Sequence, residues 1–234
     1  MAITFANQTA YVSHLAILVP DMKGGYAEAD FVQEAVAILS EDVPAWEEAD
    51  VGDGSVKAYT LGVSPFGGWA AGFSNLWPVT YEALDSVGAP YEPPVDFPYS
   101  PRIVERTVSS NPAHVLSFRS APSATAKCRV RFRRPWTIGA SSTNVPAHLQ
   151  LAVVKKAAAK KCAALSTYYK QSIDPAGGSD IFDARQYAEA YAVDAKRWGA
   201  EYAELVGLGP NETGFSTGRI RRGQPTVFRP MMGG

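Results

Sequence analysis

The sequence is short of the residues that most chemistry requires. It has only two cysteines, Cys128 and Cys162, and three histidines, His14, His114 and His148, in 234 residues. The cysteines stand far apart, one in a strand-like segment and one in a helix-like one, so neither a disulfide framework nor a zinc site is expected. Both are read as buried thiols of a fold that assembles in a reducing cytoplasm. The histidines fall in three separate segments without metal-ligand spacing. His148 and Cys162 are 14 apart on one helix, about 21 Å at the helical rise, which excludes a thiol–histidine pair. No apolar run approaches the roughly 18 residues of a membrane helix; Leu15 to Pro20 is far too short. The N-terminus has no basic region followed by an apolar stretch, so no secretory signal is expected. Net charge is also missing, at −1, which argues against a coat of non-specific nucleic-acid contacts.

Catalytic signatures are absent too. There is no Walker loop, no GxGxxG after a strand and no GxSxG. Asp50-Val51-Gly52-Asp53-Gly54 lacks the later ligands of a calcium loop and reads as a tight turn. No catalytic residue, metal ligand or cofactor is assigned.

What is present is a globular composition, 46% hydrophobic and 19% charged, with 20 glycines and 17 prolines that call for many turns. The charges are segregated. Residues 1–62 hold ten acids and only Lys23 and Lys57, while 119–134 holds six bases and no acid. The segment 208–234 carries Arg219, Arg221, Arg222 and Arg229 against Glu212. Such polarity suits head-to-tail contacts between copies, or contacts with different partners on two sides.

A first helix is predicted over about 29–41, capped by Asp30 with Gln33 as capping-box partner, and with Phe31, Ala35 and Ile38 on one face. Pro44 and the turn over 50–55 end it. Residues 56–134 read as β: strands over 56–61, 76–83 (an edge strand because of Pro78) and 114–119, a proline-rich crossing over 90–101, and a strand over 127–133. In that last strand Cys128, Val130 and Phe132 alternate with Arg129, Arg131 and Arg133. It is expected to pair with 115–118 through Ala121-Pro122-Ser123, leaving the three arginines on an open face for electrostatic contacts.

The final third changes period. A helix is predicted from Pro146, with Thr143 or Asn144 as cap, to about Gln171. Leu151, Ala158, Cys162, Leu165 and Tyr169 form its stripe, and Lys155, Lys156, Lys160 and Lys161 face solvent. After a small-residue linker, Asp180 caps a helix over about 181–207. There Ala184, Ala188, Tyr191, Ala195, Trp198, Tyr202 and Leu205 repeat at 4-3 spacing, with Arg185–Glu189 and Arg197–Glu201 as ion pairs. The two helices must form an antiparallel hairpin, stopped by Gly207 and Gly209-Pro210. Residues 211–234 read as an extended tail that orders against a partner. The fold class is α+β, a helical bundle with an inserted antiparallel β-domain. The divisions are 1–50, 51–140, 141–209 and the tail 210–234.

One order of parts is familiar. A helix ending Ile38-Leu39-Ser40-Glu41-Asp42-Val43-Pro44 is followed by Gly52-Asp53-Gly54 and the strand Val56 to Leu61. Then come Trp69-Ala70-Ala71-Gly72-Phe73-Ser74, Leu76-Trp77-Pro78-Val79, and the strand Cys128 to Phe132. Last is a hairpin whose junction reads Ser166-Thr167-Tyr168-Tyr169-Lys170-Gln171-Ser172-Ile173-Asp174-Pro175. Across about 28–207 this resembles the head–tail adaptor (connector) proteins of tailed bacteriophages. The resemblance implies a ring of copies, commonly twelve, beneath a portal protein, with a tail, stopper or nozzle protein below and packaged DNA in the lumen. It implies a place in the virion neck, after synthesis in the host cytoplasm and without membrane contact. On that reading Arg219, Arg221, Arg222, Phe228 and Arg229 dock on a neighbour or the portal. The rival reading of the residues is a carbohydrate- or host-binding β-module on a helical stalk, built on Trp69, Trp77 and Tyr81. An enzyme whose site is assembled from scattered residues is a third.

Overall fold

The computed structural model describes residues 4–52, 54–74, 76–85, 87–90, 101–108, 111–123, 125, 127–172 and 180–208, with the side chains of 77–82, 111–112 and 180–182 left out. Two helices open the chain, α1 (Gln8–Leu18) and α2 (Glu28–Asp42), joined through a short 3-10 turn at Lys23–Gly25. Six strands follow: β1 (Ala45–Val51), β2 (Ala58–Thr60), β3 (Leu76–Leu84), β4 (Arg102–Val108), β5 (Asn111–Ser117) and β6 (Lys127–Arg134). The long helices α3 (Ala147–Gln171) and α4 (Asp180–Val206) close the order. The chain is thus α+β, with its strands inserted between two pairs of helices.

Helix α1 was not foreseen, although its signals are local. The Asn7 side chain caps it by accepting from the Ala10 amide, and Tyr11 and Leu15, four apart, are fully buried. Helix α2 starts earlier than expected. Its N-cap is Ala27, with no side-chain cap, so Asp30 sits inside the first turn. There its charge complements the helix N-terminus without capping it. Gln33 closes no capping box; its amide donates to the Ile138 carbonyl.

The strands form two three-stranded antiparallel sheets, ordered β1-β6-β3 and β2-β5-β4. Strand β3 is an edge, as Pro78 demanded, and its pairing with β6 shifts register between Leu76 and Tyr81. The expected pairing of β6 with 115–118 does not occur. That segment pairs with β2 and β4 in the other sheet, and the connection after Ser117 is too long for a tight hairpin, so it crosses between sheets. Strand β6 lies centrally, with Cys128, Val130 and Phe132 fully buried among Ala49, Val51, Phe66, Leu116 and Phe118.

A second core belongs to the helices. Tyr11, Leu15, Val32, Leu39, Val153, Ala157, Ala158, Leu165 and Tyr202 meet there, and α3 and α4 pack along each other as the predicted hairpin. Neither Thr143 nor Asn144 caps α3. Pro146 occupies the N-cap, the Thr143 hydroxyl accepts from Val145, and the Asn144 carbonyl accepts from Thr137. At the other end α4 closes on Gly207, which has φ of 72°. The Leu208 amide reaches the Ala203 carbonyl and the Gly207 amide that of Glu204, a Schellman closure that needs the left-handed residue glycine supplies. The heptad stripe on α4 holds for Ala188, Tyr191, Ala195, Trp198 and Tyr202, which are buried or packed against the core, but not for Leu205, which is exposed. An α-helix lags a seven-residue repeat by about 20° per heptad. Three heptads after Ala184 the stripe has turned out of the core, and Val206 packs there instead.

Candidate functional site

Surfaces for partners were expected at the arginines of β6 and the tail, and the lysines of α3 were expected to face solvent. The tail residues Arg219, Arg221, Arg222, Phe228 and Arg229 lie outside the described residues. The other two groups are committed inside the molecule.

Strand β1, which sequence reading placed partly in a turn, sets an acid opposite the first two β6 arginines. The register puts Asp50 against Arg129, Glu48 against Arg131 and Trp46 against Arg133. Arg129 grips Asp50 with two hydrogen bonds, of 2.8 and 3.0 Å. Arg131 pairs with Glu48, and on the opposite face Arg134 meets Glu47 at 2.9 Å. Arg133 lies 5.1 Å from the centre of the Phe73 ring and reaches the Glu41 carbonyl at 3.5 Å. Each exposed pair contributes about 0.2–1 kcal/mol. Together they fix the register, because a slip of one residue would send Arg129, Arg131 and Arg133 to the core face. The alternation of Ala45, Ala49 and Val51 was the signal for β1, muted because alanine is small.

The four lysines of α3 do not stand free in solvent. Lys155 lies 4.0 Å above the Trp198 ring and bonds Glu201 at 2.7 Å. Lys156 lies 4.6 Å from the centre of the Tyr202 ring, and burial holds its pKa below the ordinary lysine value. Lys160 pairs with Glu34. Lys161 is buried, donating to the Val19 carbonyl at 2.6 Å and to Glu28 at 2.5 Å. Since Glu201 is taken by Lys155, Arg197 pairs with Asp194 one turn back, at 3.0 Å, rather than with Glu201. Five of the ten carboxylates of 1–62 (Glu28, Glu34, Glu47, Glu48 and Asp50) pair with bases of β6 and α3. Among the described residues, folding thus lays part of the acidic third against basic segments of β6 and α3.

One polar junction was missed. Asp21, in the α1–α2 connection, accepts from Tyr169 of α3 at 2.7 Å and from Tyr191 of α4 at 2.9 Å, with the two rings stacked 5.8 Å apart. Burial opposes the Asp21 charge, but the Lys23 amide and the two hydroxyls outweigh it and hold the carboxyl below its ordinary value. Burial, and then the bond to Asp21, push the Tyr169 hydroxyl up to about 12 and Tyr191 upward as well. This junction ties three helical elements together and holds no nucleophile. A similar bond, Tyr202 to Asp42 at 2.5 Å, ties α4 to the end of α2.

The chemistry available elsewhere is small. Burial pushes the Cys128 and Cys162 thiols up to about 12, so they are inert packing groups. Among the described residues no group of His, Cys, Asp and Glu can hold a metal ion, and no helix is long and apolar enough to cross a membrane. Trp69, proposed for glycan stacking, packs against Phe132 with ring centres 5.8 Å apart, as part of the β-sheet core. The side chains of Trp77 and Tyr81 lie outside the described residues.

No protein-family model matches the chain, and no curated protein matches it. Three solved chains align with 82% of this chain and 93% of their own length. One is from the virion of a native gene transfer agent (GTA) particle, at 14% identity and TM-score 0.28. One is from the neck of the native GTA particle computed with C12 symmetry, at 15% and 0.25. One is from the neck of the empty GTA particle computed with C6 symmetry, at 16% and 0.27.

Proposed function

We propose that this chain is a structural component of a phage-like neck. Copies form a ring, twelve in number, that joins a portal protein above to a tail, stopper or nozzle protein below and helps to retain and conduct packaged DNA. The observation that carries the reading is the order of parts. A β-region is inserted between α2 and α3, and the hairpin α3–α4 completes the bundle around α1 and α2, which is the architecture the sequence resemblance implies. The committed cations favour a scaffold over a catalyst, because the polar groups at the junctions serve to fix helices and strands.

Docking is assigned to the C-terminal tail through Arg219, Arg221, Arg222, Phe228 and Arg229. Four arginines and an aromatic near a chain end suit an acidic groove lined with apolar side chains. The test is immunogold labelling of virions opened at the neck by mild heat. Label at one vertex supports the reading; label on fibres or across the capsid, or none, refutes it. A chain ending at Pro210 is expected to keep its helical circular dichroism and to lose binding to the portal.

A further inference from the structure

The chain passes between its two cores twice, after α2 at Val43-Pro44 and after β6 at Pro135-Trp136. Residues 45–134 form one unit, because both sheets share the core around Phe66, Leu116, Val130 and Phe132. The helices share another core, and no residue belongs to both. Among the described residues no helix packs along a strand. The ion pairs of β6 stay on β1, and those of α3 stay on α2 and α4. Two units without a large apolar interface turn on whatever joins them.

The joint has a gap in its hydrogen bonding. The β1–β6 ladder ends at Ala45 opposite Arg134. In the same register the next pair is Pro44 opposite Pro135, and the one after is Val43 opposite Trp136. Neither proline has an N–H. The Val43 amide donates back to the Leu39 carbonyl of α2 at 2.8 Å, and the Trp136 amide donates to the Ser40 hydroxyl at 2.9 Å. No amide at these four positions can serve a ladder, whatever its phase. The Trp136 indole donates to the Val43 carbonyl at 2.7 Å, but both residues pack on the helical core, on its side of the prolines. The bond that does span the joint, from Arg133 to the Glu41 carbonyl, is 3.5 Å long and exposed. We infer that Pro44 and Pro135 form a hinge on which residues 45–134 turn as one body against the helices. Each proline fixes its own φ, so the turn is taken up at ψ. The angle between the two units is then set by what the β-unit docks on. The inference rests on the fold alone and is independent of the neck reading.

The test uses the full-length chain with pairs of spin labels, diluted with unlabelled chain so that distances within one copy are read. The native thiols are buried, and the labels go on exposed positions. Ala37→Cys with Lys196→Cys lies within the helices, Arg102→Cys with Thr107→Cys lies within β4, and Arg102→Cys with Lys196→Cys spans the joint. The spanning pair is expected to give a distance distribution at least ~2-fold broader than either pair within a unit. Pro44→Ala with Pro135→Ala frees φ at both crossings. It should broaden the spanning distribution further and leave the other two unchanged. A spanning distribution as narrow as the other two overturns the inference. A broad one that ignores the proline substitutions places the motion elsewhere and overturns the assignment to Pro44 and Pro135. If the doubly substituted chain loses its circular dichroism, the two single substitutions carry that second comparison.

Discussion

The Tyr191 hydroxyl of α4 donates to the Asp21 carboxylate at 2.9 Å, across 170 positions of sequence. Tyr169 of α3 donates to the same oxygen, so one carboxylate holds the hairpin to the α1–α2 connection. Replacing Tyr191 by Phe removes one charge-assisted bond and should cost about 1.5 kcal/mol. Urea unfolding of the full chain measures it.

The same junction gives stability a pH dependence at both ends. The folded carboxyl of Asp21 titrates below its ordinary value. Its contribution is therefore present above about pH 4 and lost as pH falls through the folded value. The tyrosines shift upward, Tyr169 to about 12. In the unfolded chain they ionise near pH 10, so their contribution is intact below pH 10 and lost as pH rises from there through 12. Thermal melts should fall at both extremes. Asp21→Asn should flatten the acid limb.

Lys161 and Glu28 form the buried ion pair of the helical core, with side chains 3% and 10% exposed. Lys161→Met strands the Glu28 charge and leaves the Val19 carbonyl without its donor. The expected cost is about 3–5 kcal/mol. Adding Glu28→Leu should recover most of it, because the pair's own net contribution is small against its desolvation. Chemical denaturation of both single variants and the double variant completes the cycle.

Arg129 and Arg131 are neutralised by Asp50 and Glu48 of β1, so a chain ending at Pro210, without the four tail arginines, should elute from heparin at low salt. Glu48→Gln with Asp50→Asn releases Arg129 and Arg131 and should move elution to distinctly higher salt. Unchanged elution would mean that other groups mask the arginines.

Ala158 is fully buried in the helical core. Ala158→Leu should destabilise the chain by about 1–3 kcal/mol through overpacking, read as a lower melting temperature.

The parts that could be read from sequence alone were those governed by local period. The alternation of β6 and the ends of α3 and α4 follow from side-chain geometry within one element. Helix α1 was legible through Asn7, Tyr11 and Leu15 and was overlooked; β1 was hidden by its alanines. The lysines of α3 were misread because a helical wheel gives a direction and not a neighbour. Lys161 points at Glu28 and Val19, supplied from more than 130 positions away. The same holds for Asp21, whose partners belong to two other helices. Pairings between sheets failed for a related reason, since proximity in sequence favoured 115–118 while charge favoured β1.

The internal pairing of charge has a consequence for synthesis. The first 62 residues carry ten carboxylates and two lysines, and the cationic partners of five of those acids are encoded at 129–134 and 160–161. Most of the helical core is likewise completed only by α3 and Tyr202. Both the charge pairing and the helical core of this segment are therefore completed only by residues encoded beyond the midpoint of the chain. Until then like-charge repulsion within this segment opposes its compaction.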